Sequence, residues 1–91
     1  MSARVLVTLK VYPVDIEVDL DDLAKRIAEG LPKEYKLLDY KKEPIAFGLN
    51  ALMTLISIPE ETVGGTEDLE ERVKRVDGVS EVEVLFVRRV S

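Results

Sequence analysis

The chain has 91 residues, a formal net charge of −5 and 46% apolar residues. This length and composition predict one soluble globular domain, residues 1–91, built around a single core. The sequence contains no cysteine and no histidine, which excludes disulfides, thiol nucleophiles, the usual general base and the commonest transition-metal ligands. Its acidic balance argues against a general nucleic-acid binder, whose phosphate contacts require clustered lysines and arginines.

The beginning of the chain bears on its location. No apolar run approaches the ~18 residues that a membrane-spanning helix needs. The opening MSARVLVTLK passes directly into a strand pattern and lacks the basic, apolar and small-residue blocks of a signal peptide. We therefore expect an intracellular, cytoplasmic protein that does not bind membranes.

The first half of the chain predicts a strand, a helix and a second strand. Residues 4–12 alternate between apolar and polar side chains, which predicts a strand with one buried face that Pro13 ends. Asp19 is a good helix N-cap, and apolar residues follow it at helical spacing as far as the glycine at position 30. Residues 35–44, YKLLDYKKEP, predict a more polar strand whose charges and proline suit a sheet edge. The predicted apolar stripe of the helix comprises Leu20, Leu23, Ala24, Ile27, Ala28 and Leu31.

The second half repeats this order. Residues 51–58, ALMTLISI, are apolar at both parities, which predicts a strand in the middle of a sheet. PEETVGG predicts a loop, Thr66 is expected to cap a second helix, and the glycine in DGV at 77–79 is expected to end that helix. A last strand is predicted over 80–89. Its inward residues are expected to be Val82, Val84 and Phe86, and its outward residues Glu81, Glu83, Leu85 and Val87.

The element order predicts an α+β fold, the ferredoxin-like split βαβ sandwich with the order βαββαβ. Such a fold has a four-stranded antiparallel sheet with two helices on one face. The first and third strands, which are the most apolar, are expected at the centre, and the second and fourth at the edges. The residues expected to share one core are Val7, Leu9, Leu23, Ile27, Val73 and Phe86.

Reactive sites receive little support from the sequence. The acidic run from Asp15 to Asp22 could bind a hard cation, but it lacks the glycine of a calcium loop, and acidic residues are ordinary at helix starts. Gly64 and Gly65 precede a helix N-terminus, where anions bind, yet acidic residues follow and no Gly-Lys-Ser/Thr motif is present. RNA-recognition domains expose aromatics on their central strands, unlike the outward positions predicted here. We expect no catalytic residue, metal, cofactor or direct nucleic-acid contact.

Two features of the sequence could instead bind a partner. Phe47 lies between Pro44 and Gly48, and the ordinary interpretation of an aromatic in a small domain is a core position. Alternatively, the proline and glycine form a non-strand bend at the tip of the sheet, which turns Phe47 outward as a binding residue. Arg88 and Arg89 are either a solvated end that protects an edge strand or a second binding element.

Four segments of the sequence together resemble a known family: EPIAFGLNAL followed by an apolar strand, GGTEDLEERV, DGVSEVEV and VRRV. The pattern runs from Val5 to Val90 and resembles archaeal translation elongation factor 1-beta. It is also similar to the C-terminal exchange domain of the eukaryotic counterpart. The resemblance implies a guanine nucleotide exchange factor that promotes GDP release, and hence GTP binding, on elongation factor 1-alpha. It further implies that the chain performs no covalent chemistry of its own.

The same resemblance implies which residues contact the GTPase. The family's aromatic in the AFG motif inserts into a pocket on the GTPase, and this role carries over to Phe47. In the eukaryotic relatives a lysine next to the C-terminal residue reaches the magnesium site of the GTPase. The last strand of this chain has arginines and no lysine, so either arginine, or neither, takes that role. The implied partner-binding residues are Ile45, Ala46, Phe47, Gly48, Arg88 and Arg89.

Two other classes of protein stay open on the sequence. A small ligand-binding or regulatory ferredoxin-like module is one, because this fold hosts many functions. Such a module usually presents glycines or polar groups between its first strand and helix, where this chain has the acidic PVDIEVD. A structural subunit that assembles through the open sheet face is the other. It would form a stable homo-oligomer, whereas we expect a monomer.

Overall fold

The computed structural model describes residues 3–60 and 65–90. The predicted element order is confirmed. Most bounds differ by up to two residues, but the second helix ends at Lys74 and not at the predicted glycine stop, Gly78. Positions 61–64 of the predicted PEETVGG loop lie outside the described residues. The elements are β1 Arg4–Pro13, α1 Leu20–Gly30, β2 Lys36–Ala46, β3 Leu49–Pro59, α2 Thr66–Lys74 and β4 Val79–Val90. No helix in the described part of the chain has the length and apolar character to cross a bilayer.

The four strands form one antiparallel sheet in the order β2-β3-β1-β4. β1 and β3 occupy the centre as predicted, because a central strand is paired on both sides and can be apolar along most of its length. The charged β2 and β4 lie at the edges. Together with the two helices on one face, this arrangement confirms the ferredoxin-like α+β fold.

The core lies between the sheet and the helices. Five of the six residues expected there are fully buried, and the sixth, Phe86, is not. On α1, Ala28 is exposed although the helical stripe predicted it to be inward, because the sheet covers only the face that carries Leu23 and Ile27. The largest contributors to the core are Val7, Leu9 and Val11 of β1, Leu52, Ile56 and Ile58 of β3, Leu23 and Ile27 of α1, and Leu69 and Val73 of α2.

The core prediction is wrong for Phe86, which is 70% exposed. β1 pairs Thr8 with Phe86 and Leu9 with Val84, so Leu85 is an extra residue that forms a β-bulge. An inserted residue reverses the inward and outward alternation beyond it. Phe86 therefore lies on the open face of the sheet. Val87 lies on the helix-bearing face for the same reason, because it pairs with Val7, but it is still 55% exposed.

Both edge strands carry such insertions. On β2 the pairing with β3 skips Leu38 and Ile45, and on β4 the pairing with β1 skips Leu85. These three apolar residues are exposed. Bulges and charged side chains on an edge strand hinder pairing with another chain, so both edges are protected in this way.

The two helices begin differently. The Asp19 carboxylate accepts hydrogen bonds from the backbone N–H of Asp21 at 2.9 Å and of Asp22 at 3.2 Å, which confirms the predicted cap of α1. The predicted Thr66 cap of α2 is wrong, because Thr66 is the first helical residue and Gly65 is the N-cap, without a side-chain bond. Gly65 has a φ of 55°, a conformation that glycine adopts without strain.

Candidate partner-binding site

The tip of the β2–β3 hairpin consists of two residues. Ala46 ends β2 and pairs with Leu49, which begins β3, so only Phe47 and Gly48 leave the ladder. Their φ values are 53° and 79°. Two positive φ values are what a type I′ turn requires, the favoured turn of a two-residue hairpin loop.

The sequence predicted a non-strand bend from Pro44 to Gly48, but the observed turn comprises only Phe47 and Gly48. Pro44 lies inside β2, opposite Asn50. A proline can occupy an edge strand because its missing N–H can face away from the ladder. The strand consequently continues through Pro44 to the turn.

The side chain of Phe47 lies wholly outside the core. It is 102% exposed, so the interpretation as a core aromatic is wrong. A positive φ is rare for a bulky residue, and the left-handed region costs an L-residue about 1–2 kcal/mol. Strain of this kind at a solvent-exposed aromatic suggests a functional position.

The other sequence-predicted residues of this segment adjoin the turn. Ile45 is the bulge residue before it and is 39% exposed, and Ala46 is exposed as well. A side chain at Gly48 would meet open space, but its φ of 79° would be strained for any other residue. Positions 45–48 therefore form one continuous exposed segment.

Across from the turn lies the β1–α1 loop, residues 14–19, which sequence reasoning did not select. The loop and the turn line a cleft of about 210 Å³ whose walls include Ile16, Gly48 and Leu49. Ile16 is 67% exposed. The sequence sign of this exposed residue was the alternation of apolar and acidic residues in VDIEV. An apolar residue in a loop has no buried face of a strand or helix to occupy, so its side chain is exposed.

Contacts between α1 and β2 lie next to this loop. Lys42 Nζ lies 2.9 Å from Asp21 Oδ2, and the Tyr40 hydroxyl donates to Asp21 Oδ1 at 3.2 Å. The hydrogen bonds from Lys42 and then Tyr40 hold the pKa of Asp21 below its usual range. The start of α1 is thus attached to the strand that leads into the turn.

The two arginines lie on opposite faces of β4. Arg88 pairs with Leu6 on the open face, while Arg89 pairs with Val5 on the helix-bearing face. Arg89 Nη2 is 3.0 Å from Glu60 Oε1. Among the described residues, none forms an ion pair or hydrogen bond with the side chain of Arg88. The two guanidinium groups therefore do not act as one cluster.

The arginines are also far from Phe47. Arg89 lies in the same row of the sheet as Ile58, nine residues along β3 from Leu49. At about 3.3 Å per residue this places the two features about 30 Å apart, in a molecule 44 Å long. The structure does not bring the predicted site residues together, and a partner that contacts both ends must be a macromolecule.

The hairpin end of the molecule offers little room for a small ligand, whereas the open face of the sheet carries two grooves of about 450 and 410 Å³. In residues 3–60 and 65–90, no three acidic side chains are grouped so that they could hold a metal ion. The cleft at the turn, about 210 Å³, is smaller than the roughly 300–1,000 Å³ of typical small-molecule sites. Its geometry suits contact with a protein surface better than enclosure of a ligand.

These features define a ferredoxin-like domain with an exposed aromatic turn at one end of its sheet and two exposed arginines at the other. The C-terminal domain of the MgtC protein from Mycobacterium tuberculosis has a similar fold, with a TM-score of 0.51 and 11% identity over 98% of this chain and 87% of that one. At that identity the likeness shows the fold alone.

Residues 6–90 match the family model described as the EF-1 guanine nucleotide exchange domain. Elongation factor 1-beta of Staphylothermus marinus is 54% identical over 98% of this chain and 99% of its own length. That of Ignicoccus hospitalis is 52% identical over 97% and 94%, and that of Saccharolobus solfataricus 52% over 94% of each. The chain belongs to the elongation factor 1-beta family.

Proposed function

We propose that this chain is a guanine nucleotide exchange factor of translation elongation. It acts on elongation factor 1-alpha, promoting the release of GDP so that GTP can bind. The family match over residues 6–90 supports this role. The observation that carries the proposal is Phe47, a fully exposed aromatic on a strained two-residue turn, because such residues are typical binding hot spots.

Exchange by this route requires no reactive group on the factor. A protein that binds the nucleotide-free GTPase more tightly than the nucleotide-bound form weakens nucleotide binding by the same factor, through thermodynamic linkage. The exchange factor acts by distorting the elements of the GTPase that keep magnesium and the phosphates in place. The absence of histidine and cysteine from the sequence is compatible with this kind of action.

Phe47 is well suited to anchor the complex. Its turn is held on both sides by paired strand residues, Ala46 and Leu49, so the aromatic is presented on a stiff support. A preorganised anchor loses little conformational freedom on binding, which leaves more of its burial energy for affinity. Ile45, Ala46 and Gly48 border the ring and belong to the proposed contact.

An arginine of β4 supplies the second contact in this proposal. A cation close to the magnesium site of the GTPase disfavours the metal electrostatically, and loss of the metal releases the switch elements that it orders. Because Arg88 and Arg89 lie on opposite faces of β4, a single partner surface reaches one of them directly.

The direct test is the release of fluorescent GDP from purified elongation factor 1-alpha, with and without this chain. We expect substoichiometric amounts to accelerate release in the presence of excess GTP. Leu38→Ala, which truncates an exposed aliphatic residue far from the turn, serves as the control and should release GDP as fast as the wild type. A release rate that does not change when the chain is added would contradict the proposal.

A further inference from the structure

Ile16 is an exposed apolar residue with no structural task in the core. It is 67% exposed on the loop between β1 and α1. Scattered exposed apolar residues are ordinary, but neighbouring ones mark interaction surfaces. Ile16 lines the same cleft as Gly48 and Leu49, the residues that follow Phe47. Two separate segments thus present large apolar side chains at one end of the molecule.

The loop that carries Ile16 is held in place by its own hydrogen bonds. The Asp15 carboxylate accepts from the backbone N–H of Glu17 at 2.8 Å, and the backbone N–H of Val14 donates to the carbonyl of Gly78 at 3.0 Å. The ion pair between Asp21 and Lys42, at 2.9 Å, joins the following helix to β2. Ile16 therefore lies on a hydrogen-bonded loop, next to a helix start that contacts the strand leading into the hairpin turn.

The charge around these residues is acidic. Asp15, Glu17 and Asp19 are exposed beside Ile16, and the nearby Lys42 is already paired with Asp21. A basic surface fits here best, because like charges in an interface are unfavourable. A second copy docking through the same surface would bring two acidic rims together, in a chain whose net charge is −5.

We propose that Ile16 and Phe47 form one docking surface for the GTPase, together with the acidic rim of Asp15, Glu17 and Asp19. The face of the GTPase that docks there is basic and carries apolar pockets. The inference rests on the proposed exchange function and extends it. Ile16 is a second apolar anchor beside Phe47. The acidic rim steers the encounter and raises the association rate constant.

The first test is the affinity of Ile16→Ala for nucleotide-free elongation factor 1-alpha. Truncating an interface anchor weakens binding by more than about 1 kcal/mol, so we expect the dissociation constant to rise about five-fold or more. Leu38→Ala, an equally simple truncation of an aliphatic residue that is 52% exposed, should leave the affinity unchanged. Urea unfolding of both variants checks that folding is intact.

The second test concerns the rim. Asp15→Asn together with Glu17→Gln removes two charges, and the asparagine oxygen can still accept from the backbone N–H of Glu17. Rim charges act mainly on the association rate constant and its dependence on salt. We expect the double variant to associate more slowly at low salt and to show a flatter salt dependence, with its dissociation rate constant unchanged.

The outcomes separate the two proposals. A five-fold or larger loss of affinity in Ile16→Ala, with Leu38→Ala unaffected, supports the docking surface. A smaller loss in Ile16→Ala, while Phe47→Ala binds poorly, overturns the surface and leaves the exchange function standing. Failure of the wild type to bind the GTPase overturns both. Concentration-dependent dimerisation of the wild type that Ile16→Ala abolishes, measured by sedimentation, assigns the surface to a second copy and also overturns the inference.

Discussion

Phe47 combines a strained backbone, which reduces the stability of the free protein, with an exposed ring that adds nothing to it. Its ring is fully exposed, and its backbone has a φ of 53° at a turn position where asparagine or glycine is preferred. Neither property helps the chain to fold. A residue that is strained in the free protein supports the proposal that it acts in a bound state.

Truncation of Phe47 separates its two possible contributions. Phe47→Ala leaves the core filled, so the free energy of unfolding should change by no more than the ~0.5 kcal/mol typical of surface substitutions. Binding to the GTPase should weaken by about 2 kcal/mol or more, as for hot-spot aromatics. Denaturant titration and GDP release measure the two effects. A large loss of stability with exchange intact per folded molecule would show that the ring has a structural role.

Replacement of Phe47 by the residue that the turn prefers gives a sharper test. Phe47→Asn creates the Asn-Gly pair of type I′ turns and should raise the free energy of unfolding by about 1 kcal/mol, because asparagine tolerates a positive φ. The same variant should exchange nucleotide as poorly as Phe47→Ala. Urea unfolding that shows no gain in stability would contradict the view that the turn is strained.

At the scale of elements, one polar contact joins the entry of β2 to the first turn of α2. The Tyr35 hydroxyl donates to Asp68 Oδ2 at 2.6 Å, and Arg72 Nε lies 2.8 Å from the same oxygen. Tyr35 is buried and Asp68 is partly buried. The Tyr35 hydroxyl first, and then Arg72, hold the pKa of Asp68 below its usual range.

This contact makes part of the stability depend on pH. A carboxyl whose pKa is lower in the folded than in the unfolded state stabilises the fold fully above its unfolded pKa of about 4. That contribution is lost as the pH falls through the lower folded pKa. Tyr35→Phe should reduce the free energy of unfolding by about 1 kcal/mol at pH 7, and the difference from the wild type should narrow towards pH 3.

Urea unfolding between pH 7 and 3 checks this prediction. Tyr12→Phe is the matched control, because the Tyr12 hydroxyl donates to Glu83 at 3.1 Å on an exposed part of the sheet and its loss should have little effect. A stability difference for Tyr35→Phe that stays constant across this pH range would contradict the assignment to Asp68.

The elements themselves were largely predictable from the sequence, and their irregularities were not. The period of apolar residues predicted both helices and all four strands, because burial of one face imposes that period. A bulge adds one residue without a compositional sign, and VLFV is apolar at both parities. The face of Phe86 therefore depends on pairing with β1, which the sequence of β4 alone does not contain.

The candidate site was also predictable only in part. Phe47 was identified because the AFG motif resembles that of a known family. The full exposure of the Phe47 side chain, however, depends on the pairing of Ala46 with Leu49. The position of Ile16 beside the turn depends on how two segments about thirty residues apart meet at one end of the sheet. Such a meeting follows from tertiary structure and has no local pattern.

At the scale of the whole molecule, the two proposed contacts lie at opposite ends of a body 44 Å long. Substitutions that far apart and without shared partners have additive effects on free energy. The factor would then bind its GTPase at two separate points. A substitution at one point should weaken binding there without changing the contribution of the other point.

Single substitutions of the arginines test this arrangement. Because one partner surface reaches one face of β4, we expect one of Arg88→Ala and Arg89→Ala to slow GDP release about ten-fold or more and the other to change it less than two-fold. Stability should hardly change, since the exposed pair of Arg89 with Glu60 contributes about 0–1 kcal/mol. Combining the effective variant with Phe47→Ala should add the two free energies of binding.

Unchanged GDP release in both single variants would assign the arginines to protection of the edge strand. Equal losses in both would instead contradict the contact through one face. Denaturant titration of each variant, run beside the exchange assay, excludes unfolding as the cause of any loss.

The bulge at Leu85 also determines how β4 tolerates changes in its length. A one-residue deletion normally moves every following side chain of a strand to the other face. Deletion of Leu85 is the exception, because Phe86 and Val84 are already opposite neighbouring residues of β1, so the deletion would close the ladder and leave both arginines on their present faces. Deletion of Val87 would exchange those faces. We expect exchange activity to survive the first deletion. The second deletion places Arg89 opposite Leu6, where Arg88 lies in the wild type, and leaves no arginine opposite Val5. Activity should therefore survive the second deletion if Arg88 makes the contact and fail if Arg89 does.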